Sequence, residues 1–439
     1  MDPDYTPAVP EPAVRDASAA VKPEATADHS TESSLPRGPA ARGRLAELGR
    51  GLDSSLALLA AIAFITQIGV AVMLPLLPLY AVQLGASPIV LGLLTSVFAL
   101  TNAAGQLLAG FLSDRTGPRR LLPAGLGLYA VSNLLIATAS SAVPLIIWRG
   151  LAGLGGGTSL VSERLYIRRV VDRSRLAFAN GLLSSAGSAG QIAGPIFGGF
   201  IAAISDLRVP FLVVGVTSSV ATIAALFLPR IRETASSVAG AAATVSKLDL
   251  RALGLLLLAN LALNAGYGSF ITTYAPFAHD TLGWTTAEIG ILFSLFGLGS
   301  ITVGPALGAA ADRWGRRRVG SLAVIPVFAF SLALVMSVPA LVLYPIAIAA
   351  GGGLAGFSAS WFALLGTATG GPRGGRAFGT VSALSNLGIV VGALLAAGLW
   401  ETVEIRAGMV VMLVAIAVAG AALAAYPEAR VGESVESGA

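Results

Sequence analysis

Long apolar runs, separated by short polar or Gly- and Pro-marked breaks, occupy the chain from residue 57 to residue 426. A helix needs about 20 apolar residues to cross the hydrocarbon of a bilayer. By that measure the pattern predicts twelve spans, over 57–83, 88–112, 120–140, 143–165, 176–204, 209–228, 252–279, 286–310, 319–338, 340–365, 377–400 and 406–426. The fold class expected is an all-α membrane protein with two six-helix bundles, at 51–228 and 251–427. Residues 229–250 carry Arg230, Arg232, Glu233, Lys247 and Asp249 around an Ala/Ser run and read as a linker. Residues 1–50 are rich in Pro, Ala, Glu and Ser without periodicity, which predicts a disordered tail, read as passive rather than regulatory. Residues 428–439 form a second, short tail.

Between the second and third spans lies Gly110-Phe-Leu-Ser-Asp114-Arg115-Thr-Gly117-Pro-Arg119-Arg120. It recurs between the eighth and ninth as Gly308-Ala-Ala-Ala-Asp312-Arg313-Trp-Gly315-Arg316-Arg317-Arg318, at an offset of 198. The same offset carries Pro78 onto Pro276, Gly85 onto Gly283, Gly92 onto Gly290, Ser96 onto Ser294 and Phe98 onto Phe296. It also carries Gly181, Gly190 and Gly194 onto Gly379, Gly388 and Gly392. A constant offset without slippage marks a duplication. An even number of spans per unit gives both units one orientation, related by an axis along the membrane normal.

Composition sharpens this picture. Of 439 residues, 55% are hydrophobic and 12% charged, against about 25% charged in soluble domains, and the mean hydropathy is +0.79. There is no cysteine, which excludes disulfides, thiolate metal sites and Cys nucleophiles. His29 and His279 are too few for a His-based metal site, so no metal is expected. The polar first fifty residues predict no cleavable leader. One set of loops holds eighteen Lys and Arg residues and the opposite set only Arg208 and Arg406. The positive-inside rule then places the charged turns, the linker and both termini in the cytoplasm. The net charge of +5 thus records topology and implies no nucleic-acid partner. The Ala, Gly and Arg bias suits a GC-rich bacterium and hence its inner membrane.

The turn pattern Gly-x-Leu-x-Asp-Arg-x-Gly-x-Arg-Arg resembles the signature of the major facilitator superfamily. Gly110, Asp114, Arg115, Gly117, Arg119 and Arg120 match it, with Pro118 where a basic residue is common. Gly308, Asp312, Arg313, Gly315, Arg316 and Arg317 match it a second time. The fifth span, with Gly181, Gly190, Gly194, Pro195, Gly198 and Gly199, resembles the signature of the family's antiporters. Trp148-Arg149-Gly150-x2-Gly153 resembles the fourth-span Arg motif of proton antiporters, and Met73-x-Pro75-x-x-Pro78 is similar to the drug-exporting, twelve-span branch. The resemblance covers about residues 53–427 and implies alternating access, with the charged turns as a cytoplasmic latch. A solvated loop that only sets topology is the alternative. Glu163, at the cytoplasmic end of the fourth span, is the partner proposed for Arg115 or Arg120.

Arg149 is the one ionisable residue well inside a span. A charge in hydrocarbon costs about 2.5–3.5 kcal/mol on insertion scales, so it should face a cavity or a partner. Proton coupling, binding of an anionic group and bonding to backbone carbonyls all remain open for it. Asn260, Asn264 and Tyr267 share a face of the seventh span at i, i+4 and i+7. With Gln67, Gln191 and Asn386 they are cavity candidates; Trp361 and Phe270 could add an aromatic wall, with packing the favoured role for either. Each amide, taken singly, also fits a helix–helix hydrogen bond. The Gly-rich Gly153–Gly157 run sits in an apolar span without a preceding strand, so helix packing explains it better than a nucleotide loop. No Asp or Glu lies mid-membrane in the first, fourth, seventh or tenth spans. A proton carrier would then be Asp114, Asp312 or Glu163 on one side, or Asp280 or Glu288 on the other.

The leading function is proton-coupled efflux of small amphipathic drugs or metabolites, with the proton as coupling ion and no other cofactor. The expected partners are a small-molecule substrate and the lipid bilayer, and a monomer is expected. The second reading is an importer or facilitator for a sugar, an organic anion or another nutrient. The third is a membrane sensor that has lost transport. An enzyme is not expected: no nucleophile–base pair, metal cluster or phosphate loop is present in the sequence.

Overall fold

A computed structural model describes residues 54–171, 175–229, 250–369 and 374–427, without the side chains of Ser54, Asp114, Leu176, Ala177, Arg376, Ala377, Phe378 and Ser382. The expected N-terminal tail, almost all of the linker and the C-terminal tail lie outside the described residues. Fourteen helices run through the described part: α1 Ser54–Gln83, α2 Pro88–Thr116, α3 Pro118–Ala137, α4 Ala142–Val170, α5 Leu176–Ile204, α6 Val209–Leu226, α7 Leu250–Asp280, α8 Thr286–Thr302, α9 Gly304–Trp314, α10 Arg316–Leu322, α11 Val324–Val335, α12 Ala340–Ala368, α13 Gly374–Thr402 and α14 Ile405–Ala424. Ten helical stretches among the described residues are long and apolar enough to span a bilayer, α10 and α11 together (Arg316–Val335) counting once. The pair α8–α9, bent by 42°, makes an eleventh. The remaining candidate, α4, is less apolar because it carries Arg149, Glu163 and a run of glycines, yet it packs inside the fold.

The eighth and ninth expected spans are each interrupted, at Val303 and Ala323. A proline follows each break by two or three residues, at Pro305 and Pro326. Proline has no amide hydrogen, and its ring collides with the preceding turn's carbonyl, which accounts for the interruption. Proline does not always break the helix: α5 continues without interruption through Pro195.

Packing repeats with the sequence. In the first half α1 lies on α5 and α6, α2 on α4, and α3 on α4 and α6. In the second half α7 lies on α13 and α14, α8 on α12, and α11 on α12 and α14. The glycine run of α4 makes this concrete. A Cβ at Gly153 would strike the Phe98 carbonyl, and one at Gly351 the Phe296 carbonyl. Gly155 and Gly353 meet the Gly125 and Ala323 carbonyls in the same relation. All these residues correspond at the offset of 198. Lipid offers little hydrophobic drive for helix association, so close backbone approach at small residues carries it. Large apolar side chains such as Leu107, Phe197, Val216 and Leu341 remain on the outside of the helices, where acyl chains would cover them.

The duplicated charged turns owe their shape to one glycine each. Gly117 (φ 76°, ψ 144°) closes α2 and opens α3 at once, and Gly315 (φ 97°, ψ 127°) does so for α9 and α10. Residues with a Cβ are strained there. Arg119 then donates from Nε to the Leu228 carbonyl at 2.7 Å and from Nη2 to the Leu226 carbonyl at 3.2 Å, satisfying acceptors at the C-terminal end of α6. Gly117→Ala and Gly315→Ala should each destabilise the protein by about 1–3 kcal/mol, read as a lowered melting temperature in detergent. Gly110 and Gly308 have open space where a Cβ would sit. Alanine at either of these should leave the melting temperature unchanged or raise it.

Candidate functional site

The halves meet along two seams, α2 with α13 and α5 with α8, and α1 also touches α7. The seams are copies of each other. A Cβ at Gly92 would meet Ala393 and Ala397, while one at Gly290 would meet Pro195 and Gly199, the positions 198 residues earlier. Ser96 donates from Oγ to the Val390 carbonyl at 3.5 Å, and Ser294 donates to the Ile192 carbonyl at 2.6 Å. These contacts sit in the half of the molecule away from the charged turns. Thr286 donates to the Gly199 carbonyl at 2.9 Å, and Thr272 to the Thr95 hydroxyl at 3.3 Å, in the same region. At that end Glu401, in the last turn of α13, accepts the Ile89 amide hydrogen at 3.1 Å. Its carboxylate therefore caps the first turn of α2, where the exposed amide hydrogens favour a negative charge.

Two cavities lie between these seams and the arginine-rich end. One, of about 440 Å3, is walled by α1–α5 and carries Gln67, Asn102, Tyr129, Glu163, Arg164 and Gln191. The other, of about 800 Å3, is walled mainly by second-half helices and carries Tyr267, Phe270, Phe293, Phe296 and Phe362. Ser184, Ser188 and Gln191 of α5 line both, so the two chambers adjoin. They also correspond to each other through the duplication. Phe98, Asn102, Tyr129, Leu160 and Arg164 of the first fall, at the offset of 198, on Phe296, Ser300, Val327, Ser358 and Phe362 of the second. One ancestral cavity wall has become two, polar and charged on one side and apolar and aromatic on the other.

The sequence-predicted residues divide accordingly. Gln67, Gln191 and Glu163 line the first chamber, and Gln191, Tyr267 and Phe270 the second. Phe270 stacks on Tyr274, with centroids 4.8 Å apart, and contacts Phe293 and Phe296. Four of the candidates lie outside both chambers. Asn264 donates to the Asn260 carbonyl at 3.0 Å, and neither asparagine lines a cavity. Asn386 lies exposed outside both. Trp361, 1% exposed, donates its indole hydrogen to the Leu256 carbonyl at 2.8 Å and pins α12 to α7 instead of facing the chamber. The residues missed are Asn102, Tyr129, Phe293, Phe296 and Glu401. Phe296 had a signal, since its pairing with Phe98 at the repeat offset marked both.

Arg149 is 5% exposed, with its guanidinium carbon 3.8 Å from the centre of the Phe98 ring and Nη1 3.6 Å from Met73 Sδ. Its Nε has no hydrogen-bond partner. Phe98 and Tyr129 belong to the wall of the first chamber, so Arg149 sits behind them rather than in it. At the charged turns, the ion pair expected between Glu163 and Arg115 or Arg120 is not formed, and both arginines are exposed. Asp312, in the last turn of α9, reaches Arg316, the first residue of α10, at 3.5 Å across the Gly315 turn. The Asp114 side chain lies outside the described residues, Arg313 is exposed, and Arg317 is engaged. The glycine face of α5 mostly serves its own half: Gly190, Gly194 and Gly198 lie against α1. Of the motif's residues, Pro195 and Gly199 meet α8 across the seam, beside Ile192, and Gly181 faces open space.

The chain matches the family model of the Major Facilitator Superfamily over residues 59–285 and 256–439. The quinolone resistance protein NorA of Staphylococcus aureus (strain MSSA476) is 26% identical over 231 residues, 52% of this chain and 59% of that protein. The match therefore spans little more than half the length of that curated relative. An uncharacterized MFS-type transporter, MJ1560, of Methanocaldococcus jannaschii is 30% identical over 160 residues, 36% of this chain and 42% of that protein. Among solved structures, the nucleoside transporter NupG aligns with a TM-score of 0.69 at 15% identity, covering 85% of this chain and 98% of that one. A bacterial homolog of the human lysosomal transporter Spinster, in an inward-facing and unoccupied conformation, aligns at 0.68 and 16%, covering 84% and 95%. Such low identities establish a shared fold.

Glu401→Ala should loosen the closed end by the value of one solvent-exposed hydrogen bond, about 0.5–1.5 kcal/mol. The cysteine-free chain makes this easy to read. A Ser96→Cys reporter, buried in the α2–α13 seam, should be labelled by a maleimide about two- to tenfold faster when combined with Glu401→Ala. An unchanged rate would mean that the cap holds nothing shut.

Proposed function

The chain belongs to the major facilitator superfamily, and on that premise we propose that it is a proton-coupled exporter of small amphipathic molecules working by alternating access. The observation that carries this reading is the pair of mirrored seams: one end of the halves is tied together while two adjoining cavities extend toward the other. Export draws on the relationship to the quinolone resistance protein and on the glycine-rich α5. The Arg-rich turns are assigned to the cytoplasm by the positive-inside rule, so the cavities of this conformation open inward and both termini are cytoplasmic. The protein is then a monomeric, multi-pass protein of an inner membrane. Asp114 and its second-half counterpart Asp312 act as latches in the opposite conformation, which explains why Arg115 and Arg120 are unpaired in this one. Glu163, the carboxylate in the cavity wall, is the assigned proton carrier.

A second reading, an importer or facilitator, draws on the absence of Asp and Glu mid-helix in α1, α7 and α12. Uptake by membrane vesicles without a pH gradient would support it over export. Cells expressing the protein should retain less of a lipophilic fluorescent dye than cells without it, and the difference should collapse with the proton gradient. Equal retention across a broad dye panel would sink the export reading. Arg149→Met should leave the melting temperature unchanged or raised, since a buried ion gives way to an apolar chain. Dye export should nevertheless fall at least tenfold, and Asp114→Asn should slow it as well. Normal, pH-insensitive export by both variants would remove Arg149 and Asp114 from the mechanism.

A further inference from the structure

Arg149 is a charge that the fold buries without an acid beside it. Neither ion pair among the described residues involves it, and its Nε has no hydrogen-bond partner. A buried charge is tolerated when it is paired or faces a polar cavity. The groups that hold this one are soft. They are the Phe98 ring face, at 3.8 Å, and the Met73 thioether, which accepts from Arg149 Nη1 at 3.6 Å and from the Tyr129 hydroxyl at 3.7 Å. The duplication marks these groups as a unit. At the offset of 198, Met73, Tyr129 and Arg149 fall on Ile271, Val327 and Ala347, so the three have diverged together. The apolar counterparts are buried as well, so packing alone does not demand the polar set.

Arg149 also lines a third, much smaller pocket of about 10 Å3, in the half of the molecule away from the charged turns. That is space for about one water-sized particle. Its other walls are side chains of α1, α2 and α7, nearly all apolar, with the Thr95 hydroxyl among them. The second half of the molecule contributes Ile271 to this lining. Beside Ile271, Thr272 donates to the Thr95 hydroxyl at 3.3 Å, one of the bonds that close the far end. Phe98 and Tyr129 stand between Arg149 and the first chamber. Parting of α2 from α7 at the far end would therefore lift Ile271 and Thr272 away and uncover the guanidinium from that side, while it stays screened from the arginine-rich side. No such site recurs in the second half: Thr95 falls on Phe293, packed against Phe270 and Tyr274.

We propose that this pocket is a binding site for a small inorganic anion, of the size and charge of chloride, filled as the far end opens. The one charge in its lining is positive, and no acid among the described residues lines it. Its apolar walls strengthen an ion pair relative to water, and its small volume turns away organic acids. The anion supplies the counter-charge that the fold withholds from Arg149. Because Ile271 and Thr272 cover the site in the closed form, the anion binds the open form and draws the population toward it. This rests on the alternating-access reading of the two halves.

The test uses the full-length protein in nanodiscs, with the Ser96→Cys reporter in the α2–α13 seam. Maleimide labelling is compared in sodium chloride and in sodium gluconate at equal ionic strength, gluconate being too large for the pocket. Chloride should speed labelling saturably, by about threefold or more, and bromide should do the same. Arg149→Met should abolish the chloride effect, and continued labelling of that variant in gluconate shows that it is folded and still opens. Equal rates in the two salts, slower labelling in chloride, or an undiminished chloride effect in Arg149→Met would each overturn the proposal. The readout is opening of the far end, so it separates from export. A chloride effect that depends on Arg149, in a protein that exports no dye, would fail the export reading alone. Dye export with labelling indifferent to chloride would fail this proposal alone.

Discussion

The architecture depends on close backbone contact at two positions that lack a side chain. Gly92 and Gly290 let α2 and α8 press against α13 and α5, and Ser96 and Ser294 complete each seam by donating to a carbonyl of the opposing helix. In a bilayer, apolar side chains gain nothing by leaving lipid for protein, so such van der Waals and hydrogen-bonded contacts must hold the halves together. Each seam uses the same residues of the duplicated unit in exchanged roles. The interface therefore carries an approximate two-fold axis, and the cavities, displaced from the seams toward the arginine-rich end, inherit that symmetry in their lining positions.

Symmetry in backbone and asymmetry in chemistry are separable here. The glycines that fix helix spacing are kept in both halves, at Gly153 and Gly351 and at Gly155 and Gly353. Most side chains that line the cavities are not kept: Phe98 recurs as Phe296, but Asn102 falls on Ser300, Tyr129 on Val327 and Arg164 on Phe362. Packing constrains the first group through sterics that leave no room for a Cβ. The second group borders open space, where a change of side chain meets fewer neighbours.

This division also decides what could be read from the sequence. The helix ends agree with the hydropathy pattern within a few residues, because Pro88, Pro118, Gly85 and Gly117 punctuate the chain where the backbone turns. The repeat offset marked Gly92, Ser96 and Phe98 as special before any contact was known, and all three prove to be seam or cavity residues. Polar residues inside spans were less legible. Gln67 and Asn264 look alike in sequence, yet one lines a chamber while the other bonds to its own helix at Asn260. Trp361 fitted either an aromatic wall or packing by its sequence, and the structure gives it the packing role, as a strut to α7. Which face of a helix points inward depends on rotations that periodicity in a uniformly apolar span does not record. Glu401 was invisible for another reason: its partner is the free amide end of α2, a feature of the fold with no residue signature.

The position of the seam glycines sets unequal lever arms. Gly92 lies about 6 Å from the start of α2 but about 33 Å from Asp114, at 1.5 Å rise per residue. A rotation of about 10° around the seam would carry the arginine-rich end through about 6 Å while shifting the far end by only about 1 Å. Opening at the arginine-rich end therefore needs little angular travel and no repacking of the glycine contacts. Opening at the far end cannot use the same fulcrum, since its short arm barely moves. It must pull Gly92 and Gly290 off their neighbours, so the two openings face barriers of different physical origin.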